Sequence, residues 1–98
     1  MEIENFIPAK VFCEVYNVDV TFINSLNEIG LISIVVFEEV DYIEKEKIKE
    51  LEKMIRLHYE LDINLEGIEA ISHLLKKVDT LQDEVLALRT KLKLFEGN

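Results

Sequence analysis

Four segments of the chain repeat apolar side chains at the spacing of a helix. The first follows the only proline, Pro8, and predicts a helix over residues 8–16, because proline suits a first helical turn. The second predicts a helix over residues 20–29, with Asp19 as its N-cap and Gly30 as its C-terminal stop signal. Because only three residues separate the two helices, they predict a helix-turn-helix unit.

A β-branched run follows the second helix. Residues 31–37 predict a strand, and residues 42–43 predict a short return strand after a polar connection at residues 38–41. A hairpin this small is marginal by itself, so we expect this wing to pack on the helices. From Glu44 to about Leu61 the helical period returns, with charged residues on the opposite face, and predicts a third helix.

The last segment, residues 65–95, follows a predicted N-cap at Asn64 and has the most regular pattern in the chain. Its apolar positions alternate between three and four residues apart, which is a heptad seam. The seam consists of Ile71, Leu74, Val78, Leu81, Val85, Leu88, Leu92 and Phe95. We predict a head at residues 1–64 and a long C-terminal helix at residues 65–98 that forms a homodimer. The pattern fits parallel and antiparallel pairing equally.

The distribution of charge changes what this head is expected to bind. The formal net charge is -9, and residues 1–44 contain nine acidic residues and one base, Lys10. A general nucleic-acid-binding protein needs a basic surface to neutralise phosphates. The acidic excess therefore argues against DNA as a partner, and it falls on the helix-turn-helix unit and the wing.

The sequence lacks the motifs of catalysis and of cofactor or metal binding. His58 and His73 lie on different predicted helices without the companions of a metal site, so we interpret each as a partly exposed helix residue. The adjacent carboxylates Glu38 and Glu39 are interpreted as a solvated acidic face, since nothing places them in an apolar pocket. We predict a non-enzymatic protein with no cofactor and no metal.

The single cysteine, Cys13, excludes an intramolecular disulfide and favours a reducing compartment. We expect it to be a small buried apolar residue on the first helix. The first ten residues lack the features of a secretory signal, and no apolar run approaches the length of a membrane span. These features predict a soluble cytoplasmic protein with no membrane partner.

The order of the predicted elements resembles the MerR-type winged helix-turn-helix family over almost the whole chain. The similar segments are Val18–Thr21 at the turn, Asn27–Ile32 after the second helix, Tyr42 at the end of the wing and Ile63–Ile68 at the start of the last helix. The resemblance implies a mostly α fold, in which a winged helix-turn-helix with a small β-hairpin wing precedes a long C-terminal coiled-coil helix.

Within this family, the chain is most similar to the chaperone modulators of the CbpM type. The similar stretches are Arg56–Leu61, Leu65–Ala70 and Leu86–Phe95. This resemblance implies a protein partner, the J-domain of a co-chaperone of the DnaJ or CbpA type. It also implies an inhibitory role, in which the bound modulator blocks the work of the co-chaperone with its DnaK-type chaperone.

The chain departs from the MerR pattern where regulators of that family carry arginines for DNA. Residues 22–27 contain no base, and the wing carries acids instead of arginine. Carboxylates at these places repel a DNA backbone and suit a basic protein surface, which J-domains present as a family. The residues expected to bind the partner are Glu28, Glu38, Glu39, Asp41 and Glu44.

Other functions remain compatible with the sequence. One is a MerR-like transcriptional regulator without an effector domain, which contacts DNA through Lys45, Lys47 and Lys49 or within a larger complex. Another is a structural dimer whose coiled coil docks elsewhere. For the acidic half of the chain, the alternative to partner binding is that its charge serves solubility alone.

Overall fold

The computed structural model describes residues 3–96 and contains two compact units, Met1–Ile68 and Glu69–Asn98. We call the first unit the head. In chain order, the elements are β1 (Phe6–Pro8), α1 (Ala9–Tyr16), α2 (Val20–Glu28), β2 (Ile34–Phe37), β3 (Val40–Glu44), α3 (Ile48–Tyr59) and α4 (Leu65–Glu96). Short 3-10 turns occur at Ile3–Asn5 and Lys45–Lys47. The fold is mostly helical, as predicted.

The helix-turn-helix unit forms where the sequence predicts it. α1 ends at Tyr16, and its C-cap is Asn17, whose φ of 54° is left-handed, a conformation that asparagine tolerates. Asp19 occupies the predicted N-cap of α2 with an extended backbone, but its side chain makes no capping hydrogen bond. Its backbone carbonyl accepts from the Phe22 N–H at 3.1 Å. The cap is therefore made by the backbone alone.

The predicted stop at Gly30 is confirmed, since this residue follows the C-cap of α2, Ile29, and has a φ of 82°. The Leu31 N–H donates to the Leu26 carbonyl at 3.0 Å. The Gly30 N–H donates to the Asn27 carbonyl at 3.1 Å. These two bonds form a Schellman motif, which satisfies carbonyls that a helix end otherwise leaves unpaired.

The wing is larger than the predicted hairpin, because it contains three antiparallel strands in the order β1-β3-β2. Of the strand predicted at residues 31–37, only the second half, Ile34–Phe37, forms a strand. The return strand begins earlier than predicted, at Val40, so the connection is shorter than residues 38–41. Pro8 is the last residue of β1 and the N-cap of α1, instead of lying inside the first helical turn.

The strand register gives the sheet two distinct faces. Ile43 pairs with Ile7 on one side and with Ile34 on the other, so these three side chains form a row. Ile43 is fully buried, and the other two pack against the core. Because side chains alternate along a strand, the next row, which includes Tyr42 and Val35, lies on the opposite face.

One apolar cluster joins the wing to the helices of the head, as the small size of the wing led us to expect. It consists of Ala9, Phe12, Cys13, Val18, Phe22, Ile23, Leu26, Ile32, Ile43, Leu51, Met54 and Ile68. These residues come from α1, α2, β3, α3, the first turn of α4 and the connections between them. The helices and the sheet therefore share a single core.

The junction between the last two helices confirms the predicted break. α3 begins at Ile48, later than predicted, because β3 continues through Glu44 and a 3-10 turn follows it. The side-chain oxygen of Asn64 accepts from the Gly67 N–H at 2.8 Å, which makes Asn64 the N-cap of α4. A Cβ at Gly67 would meet the Ile63 side chain at 2.6 Å, so a larger residue here would force that side chain to move.

Replacing Leu51 by alanine is expected to lower the free energy of unfolding by about 2–5 kcal/mol, because a fully buried side chain leaves a cavity in the core. The same change at Leu61, which is 64% exposed, is expected to alter it by about 0.5 kcal/mol or less. Urea denaturation followed by circular dichroism, at one fixed protein concentration, measures both variants. Equal losses would contradict the assignment of the core.

Candidate partner-binding surface

The second helix of a helix-turn-helix unit is the element that enters the DNA major groove in proteins of this architecture. Here that helix is α2, and its exposed residues are Val20, Thr21, Asn24, Asn27 and Glu28. They include one acid and no base. The contacts to phosphate that supply most non-specific affinity need lysine or arginine, so α2 lacks the chemistry of a DNA-reading helix.

Two glutamates form the tip of the wing. Phe37 pairs with Val40 across the turn, which leaves Glu38 and Glu39 as its only two residues. Their φ angles are 48° and 65°, the left-handed values of a type I′ turn. This conformation costs a non-glycine residue about 1–2 kcal/mol, and asparagine–glycine is the favoured pair. Both side chains are exposed, so the tip presents two carboxylates although its backbone disfavours them.

The remaining predicted partner-binding residues surround the wing without forming one pocket. Asp41 pairs with Val36 and is exposed, whereas Glu44 ends β3 and is half-buried. Three positions separate these acids on one strand, so they lie on opposite faces of the sheet. Glu28 lies on a different element, at the end of α2. The structure therefore distributes the acids over the wing and its neighbouring helix.

Basic residues follow the wing but are interspersed with acids. Lys45 and Lys47 belong to the 3-10 turn after β3, and Lys49 lies in the first turn of α3. All three are exposed. Glutamates alternate with them in the sequence, at Glu46 among others, so this segment presents no continuous basic surface.

An aromatic cluster that the sequence analysis missed attaches α2 to α3. The rings of Phe22 and His58 stack with their centroids 4.4 Å apart, and the Tyr59 ring meets Phe22 edge-on at 5.5 Å. The Tyr59 hydroxyl accepts from the Asp19 N–H at 3.1 Å. His58 Nδ1 lies 3.0 Å from the Ile63 carbonyl, to which it donates. His58 is half-buried, and these contacts assign it a packing role.

A second contact between helices joins the C-terminal end of α1 to α3. The Tyr16 hydroxyl donates to the Glu52 carboxylate at 2.9 Å, and the Tyr16 ring stacks on Phe12 at 4.3 Å. This hydrogen bond, followed by burial and the charge of Glu52, raises the pKa of Tyr16. The bond joins α1 to α3, so both helices of the helix-turn-helix unit contact α3.

Cys13 is buried in the core, which confirms its interpretation as a small apolar residue. Burial, and then the nearby charge of Asp19, raise the pKa of its thiol. A raised pKa disfavours the thiolate, which is the reactive form of cysteine. Cys13 therefore contributes to the packing of the core.

The predicted dimerisation seam lies on α4, and most of it is exposed. Ile71 is half-buried, and the other seven seam residues, from Leu74 to Phe95, are exposed. Leu86 and Leu94 are also exposed, but they lie outside the heptad seam. An apolar stripe of this length on one helix is available to a partner helix.

Within residues 3–96, no group of three metal-binding side chains comes close enough to hold an ion. His73 is exposed, and it lies on α4. Among the helices that the structure describes, none is both long and apolar enough to cross a membrane.

Comparison with known proteins identifies the family. The family model described as MerR HTH family regulatory protein matches residues 7–90, which cover α1, α2, the wing hairpin, α3 and most of α4. The chain therefore belongs to the MerR family of helix-turn-helix regulatory proteins. No curated protein and no solved structure matches it significantly.

Replacing the wing tip by asparagine and glycine (Glu38→Asn with Glu39→Gly) is expected to raise the free energy of unfolding by about 1–2 kcal/mol, because these residues adopt left-handed φ angles readily. The control replaces both glutamates by glutamine, which removes the same charges and keeps the unfavourable backbone. Urea denaturation compares the two. An equal gain in both variants would assign the effect to charge instead of to the turn.

Proposed function

We propose that this protein is a non-enzymatic chaperone modulator of the CbpM type, which binds the J-domain of a DnaJ- or CbpA-type co-chaperone and inhibits it. The observation that carries the proposal is the chemistry of the surface that would face DNA. α2 exposes one acid and no base, and the wing tip exposes Glu38 and Glu39. The MerR fold is thus retained while its DNA-reading positions are suited to a basic protein.

The negative charge of this surface makes it prefer a basic protein to DNA. Residues 1–44 carry nine acids and one base, so the wing and α2 lie within a strongly negative segment. A negative surface attracts a basic J-domain and repels DNA, and it raises the rate of encounter most at low salt. Individual exposed ion pairs contribute only about 0.2–1 kcal/mol each, so several acids must act together.

Inhibition then requires only that the modulator occupies the J-domain. A modulator that covers the basic surface of the J-domain prevents other proteins from reaching that surface. No bond is made or broken, which agrees with the absence of catalytic motifs in the sequence. The strength of inhibition depends on the concentration of the modulator relative to its dissociation constant.

The functional unit that we propose is a homodimer formed through α4. Its heptad seam has β-branched residues at Ile71, Val78 and Val85 and leucines at Leu74, Leu81 and Leu88, a combination typical of two-stranded coiled coils. The exposure of the seam supports this proposal. A dimer carries two heads and therefore two sites for the co-chaperone.

Reversing the charge of Glu38, Glu39 and Asp41 to lysine is expected to weaken binding to a purified J-domain by about 10-fold or more, because attraction becomes repulsion at three exposed positions. Isothermal titration calorimetry at low salt measures the affinity.

The matched control reverses three exposed acids outside the wing and α2, namely Glu50, Glu60 and Asp83. This control changes the net charge by the same amount and is expected to retain most of the affinity. Equal weakening in both variants would show that only the overall charge matters. Unchanged affinity in the wing variant would overturn the proposed surface.

Replacing Leu81 by aspartate is expected to produce monomers, because it places a charge in the middle of the heptad seam. The control is the same change at Leu86, which is 65% exposed but lies outside the seam. Sedimentation velocity measures the oligomeric state of both. A dimer that survives the change at Leu81 would rule out this seam as the interface.

A further inference from the structure

The two edges of the wing sheet differ in their protection against strand pairing. β1 forms one edge and contains Pro8, and a proline on an edge strand removes an N–H that another strand could use. β2 forms the other edge and consists of Ile34, Val35, Val36 and Phe37, with no proline and no charge. β2 is only four residues long, but it lacks the proline and the charged side chains by which proteins ordinarily prevent strand addition.

The register determines which backbone groups of β2 point to its free edge. A two-residue turn is flanked by a hydrogen-bonded pair, so Phe37 and Val40 bond to each other. Bonded positions alternate along antiparallel strands. The N–H and C=O groups of Ile34 and Val36 therefore point away from β3.

A hydrogen bond at one end of the strand agrees with this assignment. The Ile34 N–H donates to the side-chain oxygen of Asn27 at 3.1 Å, on the side away from β3. Asn27 thus covers one donor of the edge. The Val36 N–H and C=O point to the same edge, and the Val36 side chain is 65% exposed.

We propose that the free edge of β2 binds an extended segment of another protein, in which apolar and basic residues alternate, as a fourth strand of the wing sheet. This site goes beyond the proposed recognition of a J-domain, since it binds an extended backbone through main-chain hydrogen bonds. The bonds available to the added strand are centred on Val36.

The charges around the edge select this partner over a second copy of the protein. Residues 38–44, which form the turn and β3, contain four acids and no base. A second head would bring the same negative charge to the contact, whereas a basic segment is attracted.

The two faces of the sheet explain why apolar and basic residues alternate in the proposed segment. Side chains of the added strand on one face lie beside Val35 and Phe37, which favours apolar residues. Those on the other face lie beside Val36 and point towards the side that carries Asp41, which favours lysine or arginine.

The test uses the full chain and a ten-residue peptide of alternating lysine and valine. NMR titration is expected to shift the Val36 amide, and saturating peptide is expected to slow its hydrogen exchange about 10-fold. Val36→Pro removes the edge N–H and leaves the bonds to β3 intact, so it is expected to weaken peptide binding about 10-fold. Val36→Thr keeps the N–H and is expected to retain the affinity within about two-fold.

Two further peptides decide between strand addition and other modes of binding. A peptide of alternating glutamate and valine is expected not to bind. A lysine–leucine peptide with a helical period is expected to bind more weakly than the alternating one and to leave the Val36 amide exchange unchanged. The proposal is overturned if the helical peptide binds better, or if the alternating peptide does not slow exchange at Val36. The exchange measurement uses the unsubstituted protein, so it tests the proposal even where Val36→Pro fails to fold.

Discussion

The row of isoleucines across the wing, Ile7, Ile43 and Ile34, is the constraint that joins the sheet to the helices of the head. Ile43 is fully buried, and its two neighbours pack against the same core. A slip of one residue in the register would move Ile43 to the outer face and expose it. The burial of this row therefore fixes the register of the hairpin, and with it the place of the Glu38–Glu39 turn and the backbone groups that reach the free edge of β2.

With the register fixed, the surface chemistry of the head determines what the fold is used for. The MerR family is shown by the match over residues 7–90, but a fold specifies a scaffold and not a ligand. On this scaffold, α2 and the wing carry acids or neutral residues where DNA contacts need bases. The wing tip also carries acids, although asparagine and glycine would give a more stable turn than the two strained glutamates.

The sequence predicts the helices well, because their apolar periodicity and their end signals agree. Gly30 and Asn64 are specific signals, and both act as predicted. The strands were harder to predict. β1 is too short to show alternation, and the apolar run before β2 includes Ile32, which is buried in the core without belonging to a strand. Glutamate is not a typical residue of a type I′ turn, so the sequence predicted a polar connection but not its two-residue length.

The candidate surface could be predicted only in part. The acids themselves were identified, because charge can be counted along the chain. Their arrangement could not be predicted, because Asp41 and Glu44 lie on opposite faces of the sheet only as a result of the register of β3. The cluster of Phe22, His58 and Tyr59 was also missed, since contacts between side chains far apart in sequence leave no periodic pattern.

We propose that this head combines the fold of the MerR family with a surface suited to a basic protein partner instead of DNA. The most direct measurement is the fluorescence anisotropy of a labelled random-sequence DNA duplex titrated with the full chain at low salt. Non-specific binding by DNA-binding proteins has dissociation constants of about 10⁻⁴–10⁻⁶ M at physiological salt and tightens as salt is lowered. The account predicts no binding in this range even at low salt, and binding that tightens steeply as salt is lowered would contradict it.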